Sequence, residues 1–193
     1  MKYLAPVALA LAMLLTFARS ESRPLDGIAY DGLLYARMQT IVGKLRQRGD
    51  YVVEAWHDHT VAGCPRYLVG HSMGGDAALA QAASCAAAGH PPKVVVSIDP
   101  GGAPQNAHCT KGVKCINYYN PDHPIGGEYV TGATNIIVRG YDHLNMPLAP
   151  QIIAGTLAAT ALPPPPPPVQ KAAANDHDRV QRWVDGVRQL LGR

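Results

Sequence analysis

The chain has 193 residues, with 17 Lys and Arg against 14 Asp and Glu and a formal net charge of +3, which is enough sequence for one domain with a hydrophobic core. Lys2 and Arg19 lie in the first 20 residues, which contain no acid, so the rest of the chain has a charge of +1. Its bases are scattered and are not interleaved with aromatic residues, so we expect no nucleic-acid partner.

The first 20 residues have the pattern of a secretory signal peptide. Lys2 precedes an apolar run over residues 4–18, and Ala18-Arg19-Ser20 offers small residues around a cleavage point. The run is shorter than a bilayer span usually requires, which favours a cleaved signal over an uncleaved membrane anchor. We therefore expect a secreted or periplasmic protein whose folded domain covers residues 21–162.

The predicted domain begins with a helix and a strand. Residues 30–48 carry apolar side chains at near-helical spacing, and residues 51–56 form a short apolar run. His57-Asp58-His59 follows the strand and offers too few ligands for a metal, so we interpret it as a polar loop. Only residues 60–65 lead to the next strand, whereas a parallel crossover usually needs a dozen or more. Either the usual connecting helix is missing, or the strand at 51–56 is misplaced.

The next strand turns sharply into a helix around one serine. The apolar residues 67–69 run into Gly70-His71-Ser72-Met73-Gly74, and an alanine-rich segment follows. Glycines are needed on both sides of this serine, because side chains there would collide with the neighbouring strand and helix. The pattern is that of a nucleophile elbow, which leaves Ser72 exposed with the N-terminus of a helix behind it.

Three further strands and a closing helix complete the domain. The strands are predicted over residues 93–99, 113–120 and 134–139, and the helix over residues 147–162. Near-continuous apolar runs are typical of buried parallel strands. Their alternation with helices predicts an α/β fold with a mostly parallel, doubly wound sheet and flanking helices.

Polar residues that could carry acyl-transfer chemistry follow these strands directly. A serine hydroxyl needs a base to take its proton and an acid to hold that base. His143 follows the last strand. The nucleophile Ser72, a candidate acid and His143 therefore occur in that order along the chain, which is the order typical of a serine in a nucleophile elbow. Asp99 is favoured as the acid, because its strand is well defined and should lie beside the strand of Ser72. Asp122, at the end of the following strand, is the alternative acid.

The elbow and its flanks resemble a known group of proteins. Val69-Gly70-His71-Ser72-Met73-Gly74-Gly75 resembles the α/β-hydrolase superfamily, above all its lipase, esterase and thioesterase members. Ile98-Asp99-Pro100 resembles the acid-bearing segment of lipases related to the pancreatic ones. Residues 116–143 are similar to small secreted bacterial lipase-like or thioesterase-like hydrolases. The resemblance spans residues 27–162 and implies a trimmed α/β-hydrolase fold.

The resemblance also implies two backbone donors for an oxyanion. One would be the N–H of Met73, and the other would come from a loop after an early strand. A helix over residues 30–48 leaves little room for such a strand, so only Asp26-Gly27-Ile28-Ala29 could supply the loop, and Gly27 is the candidate. This departure from the family keeps a catalytically impaired binding or adaptor protein as an alternative.

Four cysteines in an exported chain predict two disulfides, for which three pairings exist. Cys64 precedes the nucleophile strand and Cys85 lies near the end of the helix that runs back along it, so both fall at one edge of the sheet. Cys109 and Cys115 are close in sequence and would close a short loop. We expect these two pairs; free thiols are the alternative in a reducing compartment.

Two segments follow the domain. Residues 163–168 are six consecutive prolines, which form a stiff spacer. Residues 169–193 predict an amphipathic helix with an apolar face formed by Val180, Trp183, Val184, Val187, Leu190 and Leu191. We expect this helix to dock on its own domain or on a partner protein, and contact with a membrane surface is the alternative.

Together these features predict a secreted serine hydrolase that cleaves small carboxylic esters or thioesters through an acyl-enzyme. An acyltransferase with the same triad is a further alternative. Short acyl chains are expected, because the chain leaves little room for a lid between its strands and helices. The sequence implies no metal or organic cofactor and predicts no particular oligomeric state.

Overall fold

The computed structural model describes residues 23–32, 37–101 and 107–161. The predicted signal peptide, proline spacer and C-terminal helix lie outside these residues. By its internal contacts the chain divides into a unit of residues 1–160 and a unit of residues 161–193, and all of the described residues except residue 161 belong to the first unit. Within the described ranges, no helix has the length and apolar character needed to cross a membrane.

A single six-stranded sheet forms the centre of the unit, and all of its strand pairs are parallel. The strands are β1 (Gly27–Asp31), β2 (Val52–Trp56), β3 (Tyr67–His71), β4 (Val94–Ile98), β5 (Lys114–Tyr119) and β6 (Thr134–Ile137), in the spatial order β2-β1-β3-β4-β5-β6. The predicted α/β fold with a doubly wound parallel sheet is confirmed.

Helices cover both faces of this sheet. They are α1 (Met38–Gln47), α2 (Met73–Ala87) and α3 (Pro150–Ala159), with a 3₁₀ helix (His143–Leu148) before α3. On one face α1, α3 and the 3₁₀ helix bury Met38, Ile152 and Met146 against the sheet. On the other face α2 buries Ala78 and Leu79. The apolar side chains of each strand therefore alternate between two separate cores, which produces the continuous apolar runs in the sequence.

The first strand corrects the prediction of a helix over residues 30–48. Residues 27–31 form β1, in which every residue is buried, and α1 begins only at Met38. Ile28 and Tyr30 face the α2 side of the sheet, whereas Ala29 faces α1. Because both faces are covered, the strand has no period-2 pattern, and a short apolar run of this kind cannot be told from the start of a helix by periodicity.

The strand predicted at 51–56 is confirmed, and it is the connecting helix that is missing. β2 pairs with β1 and lies at the edge of the sheet, so residues 57–66 cross β1 to reach β3 without helical structure. The crossover is held against α2 by side chains. The amide of Gln81 donates to the carbonyls of Val61 (3.3 Å) and Gly63 (3.0 Å).

Both expected disulfides are present. Cys64 is bonded to Cys85 with a Cα–Cα distance of 5.5 Å, and Cys109 is bonded to Cys115 with a Cα–Cα distance of 5.8 Å. The first bridge joins the helix-free crossover to the C-terminal part of α2, and the second closes the loop before β5. Each bridge thus attaches an irregular segment covalently to a neighbouring helix or strand.

Candidate active site

Ser72 lies between the end of β3 and the start of α2 in a strained backbone conformation (φ 55°, ψ −132°). Its N–H donates to the carbonyl of Ile98 on β4 (3.0 Å). A Cβ atom at Gly70 would collide with the carbonyl of Gly74, and a Cβ atom at Gly74 would collide with the carbonyl of Tyr30. Glycine is therefore required on both sides of the serine, which accounts for the G-x-S-x-G spacing.

Ser72, His143 and Asp99 form a continuous hydrogen-bonded chain. The Nε2 atom of His143 lies 2.9 Å from Oγ of Ser72, and its Nδ1 atom lies 2.7 Å from Oδ2 of Asp99. The exposed fraction is 6% for Ser72, 6% for His143 and 0% for Asp99. A carboxylate accepts hydrogen bonds, so Nδ1 carries the ring proton and Nε2 is free to accept the proton of the serine.

The second oxygen of Asp99 also has a partner. Its Oδ1 atom accepts a hydrogen bond from the backbone N–H of Asn120, 2.9 Å away at the end of β5. Asp99 itself has a positive φ of 46°, which a residue other than glycine rarely adopts. The backbone at the end of β4 is thus bent so that the carboxylate lies between β5 and His143. Asn120 was not identified from the sequence, because its contribution is a backbone group.

Asp122 does not reach the histidine. Its carboxylate forms an ion pair with Arg139 (2.7 Å), and its side chain is 60% exposed. Asp99, in contrast, follows β4, which is the direct neighbour of β3 in the sheet. Strand order alone therefore separates the two candidate acids.

Gly27 does not lie near Ser72, so the prediction that it supplies an oxyanion donor is wrong. It begins β1 and is paired with Tyr67 at the start of β3, at the amino end of the sheet. A glycine that does lie against the serine is Gly32, after the end of β1. A Cβ atom there would lie 2.6 Å from Cβ of Ser72 and 3.1 Å from its Oγ.

Met73 is the first residue of the 15-residue helix α2. The first N–H groups of a helix have no acceptor within the helix, and the helix dipole places partial positive charge at this end. Met73 directly follows Ser72 in the chain, so its N–H belongs to the first turn of the helix that begins at the elbow. In the sequence, Gly32 lies shortly after the apolar run 28–30. If that run is predicted as a strand, Gly32 falls in the loop after it and can be identified as a candidate.

Two carboxyl groups near the elbow have raised pKa values. Burial, followed by repulsion from Glu54, raises the pKa of Asp31 at the end of β1 to about 6. Burial, followed by repulsion from Glu128, raises the pKa of Asp76 in the first turn of α2 to about 6. Ionising either group in the folded protein costs free energy, because the charge is moved away from water towards another acid.

The segment His57-Asp58-His59 lines a cavity of about 300 Å³ between the crossover and α2. Other residues of its wall include Tyr30, Gln81 and Ser84. Ser72, Asp99 and His143 are not part of it. Among residues 23–32, 37–101 and 107–161, no group of three or more His, Cys, Asp or Glu side chains could hold a metal ion.

Comparisons with known proteins add a structural likeness. No family model matches the sequence, and no curated protein matches it. Among solved structures, the chain is similar to the RedJ thioesterase from the prodiginine biosynthetic pathway of Streptomyces coelicolor. The two share 10% sequence identity with a TM-score of 0.45, over 70% of this chain and 86% of that one.

Proposed function

We propose that this protein is a serine hydrolase that cleaves carboxylic esters or thioesters. The observation that carries the proposal is the hydrogen-bonded chain from Ser72 Oγ to His143 Nε2 (2.9 Å) and from His143 Nδ1 to Asp99 Oδ2 (2.7 Å). An activated serine needs a neighbouring base and a group that orients the base. Each of these groups is within hydrogen-bonding distance of the next.

The proposed reaction has two steps. Ser72 Oγ attacks the acyl carbon while His143 Nε2 takes the hydroxyl proton, and the tetrahedral intermediate collapses when His143 returns that proton to the leaving alcohol or thiol. Water then gives a proton to His143 and attacks the acyl-enzyme, and Ser72 leaves with the proton as the carboxylic acid is released. Asp99 holds the ring in the required tautomer and stabilises the imidazolium in both steps.

The oxyanion of each intermediate would be bound by backbone N–H groups of Met73 and Gly32. The first lies at the N-terminus of α2, where the helix dipole favours negative charge. Support for the second is the close contact of Gly32 with the Ser72 side chain. With β1 in place, the sequence-based reason for expecting an impaired enzyme no longer holds.

The surface beside the triad favours an apolar acyl group. Leu144, next to His143, is 43% exposed, and Ile125, next to a glycine that contacts His143, is 64% exposed. Within the described residues, Asp99 supplies the only charged side chain that is hydrogen-bonded to Ser72 or His143. We retain the expectation of short acyl chains, so activity should fall from butyrate to octanoate esters.

Export is a further part of the proposal. It is supported by the signal-like residues 1–20 and by the two disulfides, because disulfides persist in oxidising compartments. An oxidised protein recovered from the medium or periplasm, starting after residue 20, would agree with it. A reduced protein that retains residues 1–20 would contradict it.

The test is hydrolysis of p-nitrophenyl acetate, butyrate and octanoate, and of a butyryl thioester, by the wild type and by Ser72→Ala and His143→Ala. We expect both variants to lose at least about 10³-fold in kcat, and a fluorophosphonate probe to label the wild type but not Ser72→Ala. Equal inactivity and equal lack of labelling in folded wild type and Ser72→Ala would refute the hydrolase. Faster product formation in the presence of an added alcohol would point to an acyltransferase.

A further inference from the structure

A second histidine lies directly against the triad. His71 precedes Ser72 at the end of β3 and is fully buried. Its Nε2 atom lies 2.8 Å from the backbone carbonyl oxygen of His143, and the centroids of the two rings are 4.8 Å apart. The mechanism proposed above makes no use of this side chain.

The contact determines the tautomer of His71. A carbonyl oxygen only accepts hydrogen bonds, so the proton of His71 is on Nε2. Its Nδ1 atom is buried and has no hydrogen-bond partner in the part of the chain that the structure describes. Burial, followed by the proximity of His143, lowers the pKa of His71 to about 4. His71 is therefore a neutral donor at physiological pH, and it does not repel the positive charge that develops on His143 during the reaction.

The hydrogen bond from His71 to the carbonyl of His143 joins two parts of the chain whose relative position determines the geometry of the site. His143 begins a short 3₁₀ helix after a loop, whereas His71 belongs to a strand in the middle of the sheet. The hydrogen bond of His71 ends on the backbone of the same residue whose ring accepts the proton of Ser72. Both contacts start from adjacent residues, 71 and 72, so the backbone and the ring of His143 are each held against the elbow.

We infer that His71 is a positioning residue, whose Nε2–H holds the backbone of His143 so that its ring spans Ser72 and Asp99. This inference rests on the proposed function for its effect on rate, although the geometry it predicts is independent of turnover. A displacement of about 1 Å between catalytic groups can cost about a hundredfold in rate. His71 should therefore affect kcat much more than KM.

The test compares His71→Gln, His71→Asn and His71→Phe with the wild type. The amide nitrogen of Gln reaches the position of Nε2, whereas the amide of Asn ends near the position of Nδ1 and cannot reach the carbonyl. Phe keeps a ring against His143 but has no donor. The first readout is the far-downfield proton resonance of His143 Nδ1–H bonded to Asp99, assigned by its loss in Asp99→Asn. The second readout is kcat and KM for p-nitrophenyl butyrate, normalised to sites labelled by a fluorophosphonate.

We expect the downfield resonance to weaken or vanish in the Asn and Phe variants and to persist in the Gln variant. In parallel, kcat should fall about tenfold to a hundredfold in Asn and Phe with KM nearly unchanged, and it should recover in Gln. An unchanged resonance and kcat in Asn, or equal impairment of folded Asn and Gln variants, would overturn the inference. If the His71→Phe variant does not fold, the comparison of His71→Asn with His71→Gln tests the inference by itself.

The two proposals can fail separately. If wild type and Ser72→Ala are equally inactive but the resonance depends on residue 71 as expected, the hydrolase proposal fails and the positioning role stands. If wild type is active and the resonance and kcat are indifferent to residue 71, the positioning role fails and the hydrolase proposal stands.

Discussion

Gly126 lies against the ring of His143 so closely that a Cβ atom at position 126 would be 2.7 Å from the Cε1 atom of the ring. The same atom would lie 2.9 Å from Oδ2 of Asp99. The loop before β6 therefore covers the hydrogen bond between the histidine and the acid with a backbone that has no side chain. Gly126 adopts a φ of 80°, a conformation that glycine adopts at no steric cost.

Gly126→Ala should consequently reduce activity more than its effect on folding explains. The methyl group must displace His143 or Asp99, and we expect kcat to fall about a hundredfold. Gly140→Ala is the matched control, because Gly140 has a φ of 85° with nothing within 4 Å of a Cβ atom. Both variants should lose about 1–2 kcal/mol of unfolding free energy from the positive φ. Similar kcat values for the two variants would show that Gly126 does not constrain the triad.

Asp99→Asn and Asp122→Asn should differ strongly. The amide of the Asp99→Asn variant does not hold the ring of His143 in the same tautomer, and it lacks the negative charge that stabilises the imidazolium. We therefore expect kcat to fall about 10³–10⁴-fold. Asp122 is exposed and pairs only with Arg139 among the charged groups of the described residues, and a surface pair of this kind contributes about 0–1 kcal/mol. Its variant should keep nearly full activity. Steady-state kinetics with p-nitrophenyl butyrate checks both, and a large loss in Asp122→Asn alone would reverse the assignment of the acid.

Gly32→Ala should impair the proposed oxyanion donor. A Cβ atom at Gly32 would lie 2.6 Å from Cβ of Ser72 and 2.9 Å from the carbonyl oxygen of His71, so the backbone must move away from the serine. Loss of one oxyanion donor costs about 10²–10³-fold in kcat. Gly43→Ala, in α1 with open space around it, should instead stabilise the protein by about 0.5–1 kcal/mol without changing kcat. Full activity in Gly32→Ala would contradict the assignment of this donor.

The two disulfides should contribute unequally to stability. Cys64 and Cys85 are 21 residues apart, and Cys109 and Cys115 are 6 residues apart. The loop-entropy model gives about 3 kcal/mol for the longer loop and about 2 kcal/mol for the shorter one. Two double variants test this by urea unfolding, Cys64→Ser with Cys85→Ser and Cys109→Ser with Cys115→Ser, and the first should lose more stability. The reverse order would indicate that attachment of the loop before β5 matters more than chain entropy.

The raised pKa of Asp76 predicts a pH-dependent effect of its replacement. The carboxyl has a pKa of about 6 in the folded protein against an ordinary value of 3.8, so its ionisation destabilises the folded state as the pH rises from about 4 to above 6. Asp76→Asn removes this cost and should raise the free energy of unfolding at pH 8 by about 1–3 kcal/mol. The gain should vanish at about pH 3 and below, where the carboxyl holds its proton in both the folded and the unfolded state.

Asp58→Asn is the control for this measurement, because the Asp58 side chain is 68% exposed. Urea unfolding at about pH 3 and pH 8 should show no comparable pH-dependent gain in that variant. A gain in Asp76→Asn that is the same at both pH values would mean that the pKa of Asp76 is not responsible.

Much of the fold could be predicted from local patterns. The strands near residues 52–56, 67–71, 94–98, 114–119 and 134–137 follow apolar runs, and the order of these runs along the chain predicted a parallel sheet. Ser72 was identified because its flanking glycines are required by the turn itself. Such features depend on residues within a few positions of one another, so the sequence displays them directly.

The first strand and Gly32 were missed for the opposite reason. β1 is recognisable only from its two neighbours, since it is covered on both faces and its apolar run continues into a segment with helical spacing. Without β1, Gly27 was the candidate oxyanion donor, whereas Gly32, after the other end of the strand, is the glycine that lies against Ser72. The same holds for Gly126, whose importance depends on His143 and Asp99 lying beneath it.

The sequence by itself predicted the elbow, the parallel α/β architecture and the chain order of serine, acid and histidine, and it favoured the two cysteine pairings without determining them. Only the tertiary structure decided which aspartate meets the histidine, which glycine meets the serine, and that His71 donates to the backbone of His143. These relationships join residues separated by tens of positions, and they depend on strand order and loop geometry. Both arise from packing across the whole sheet, so no local pattern records them.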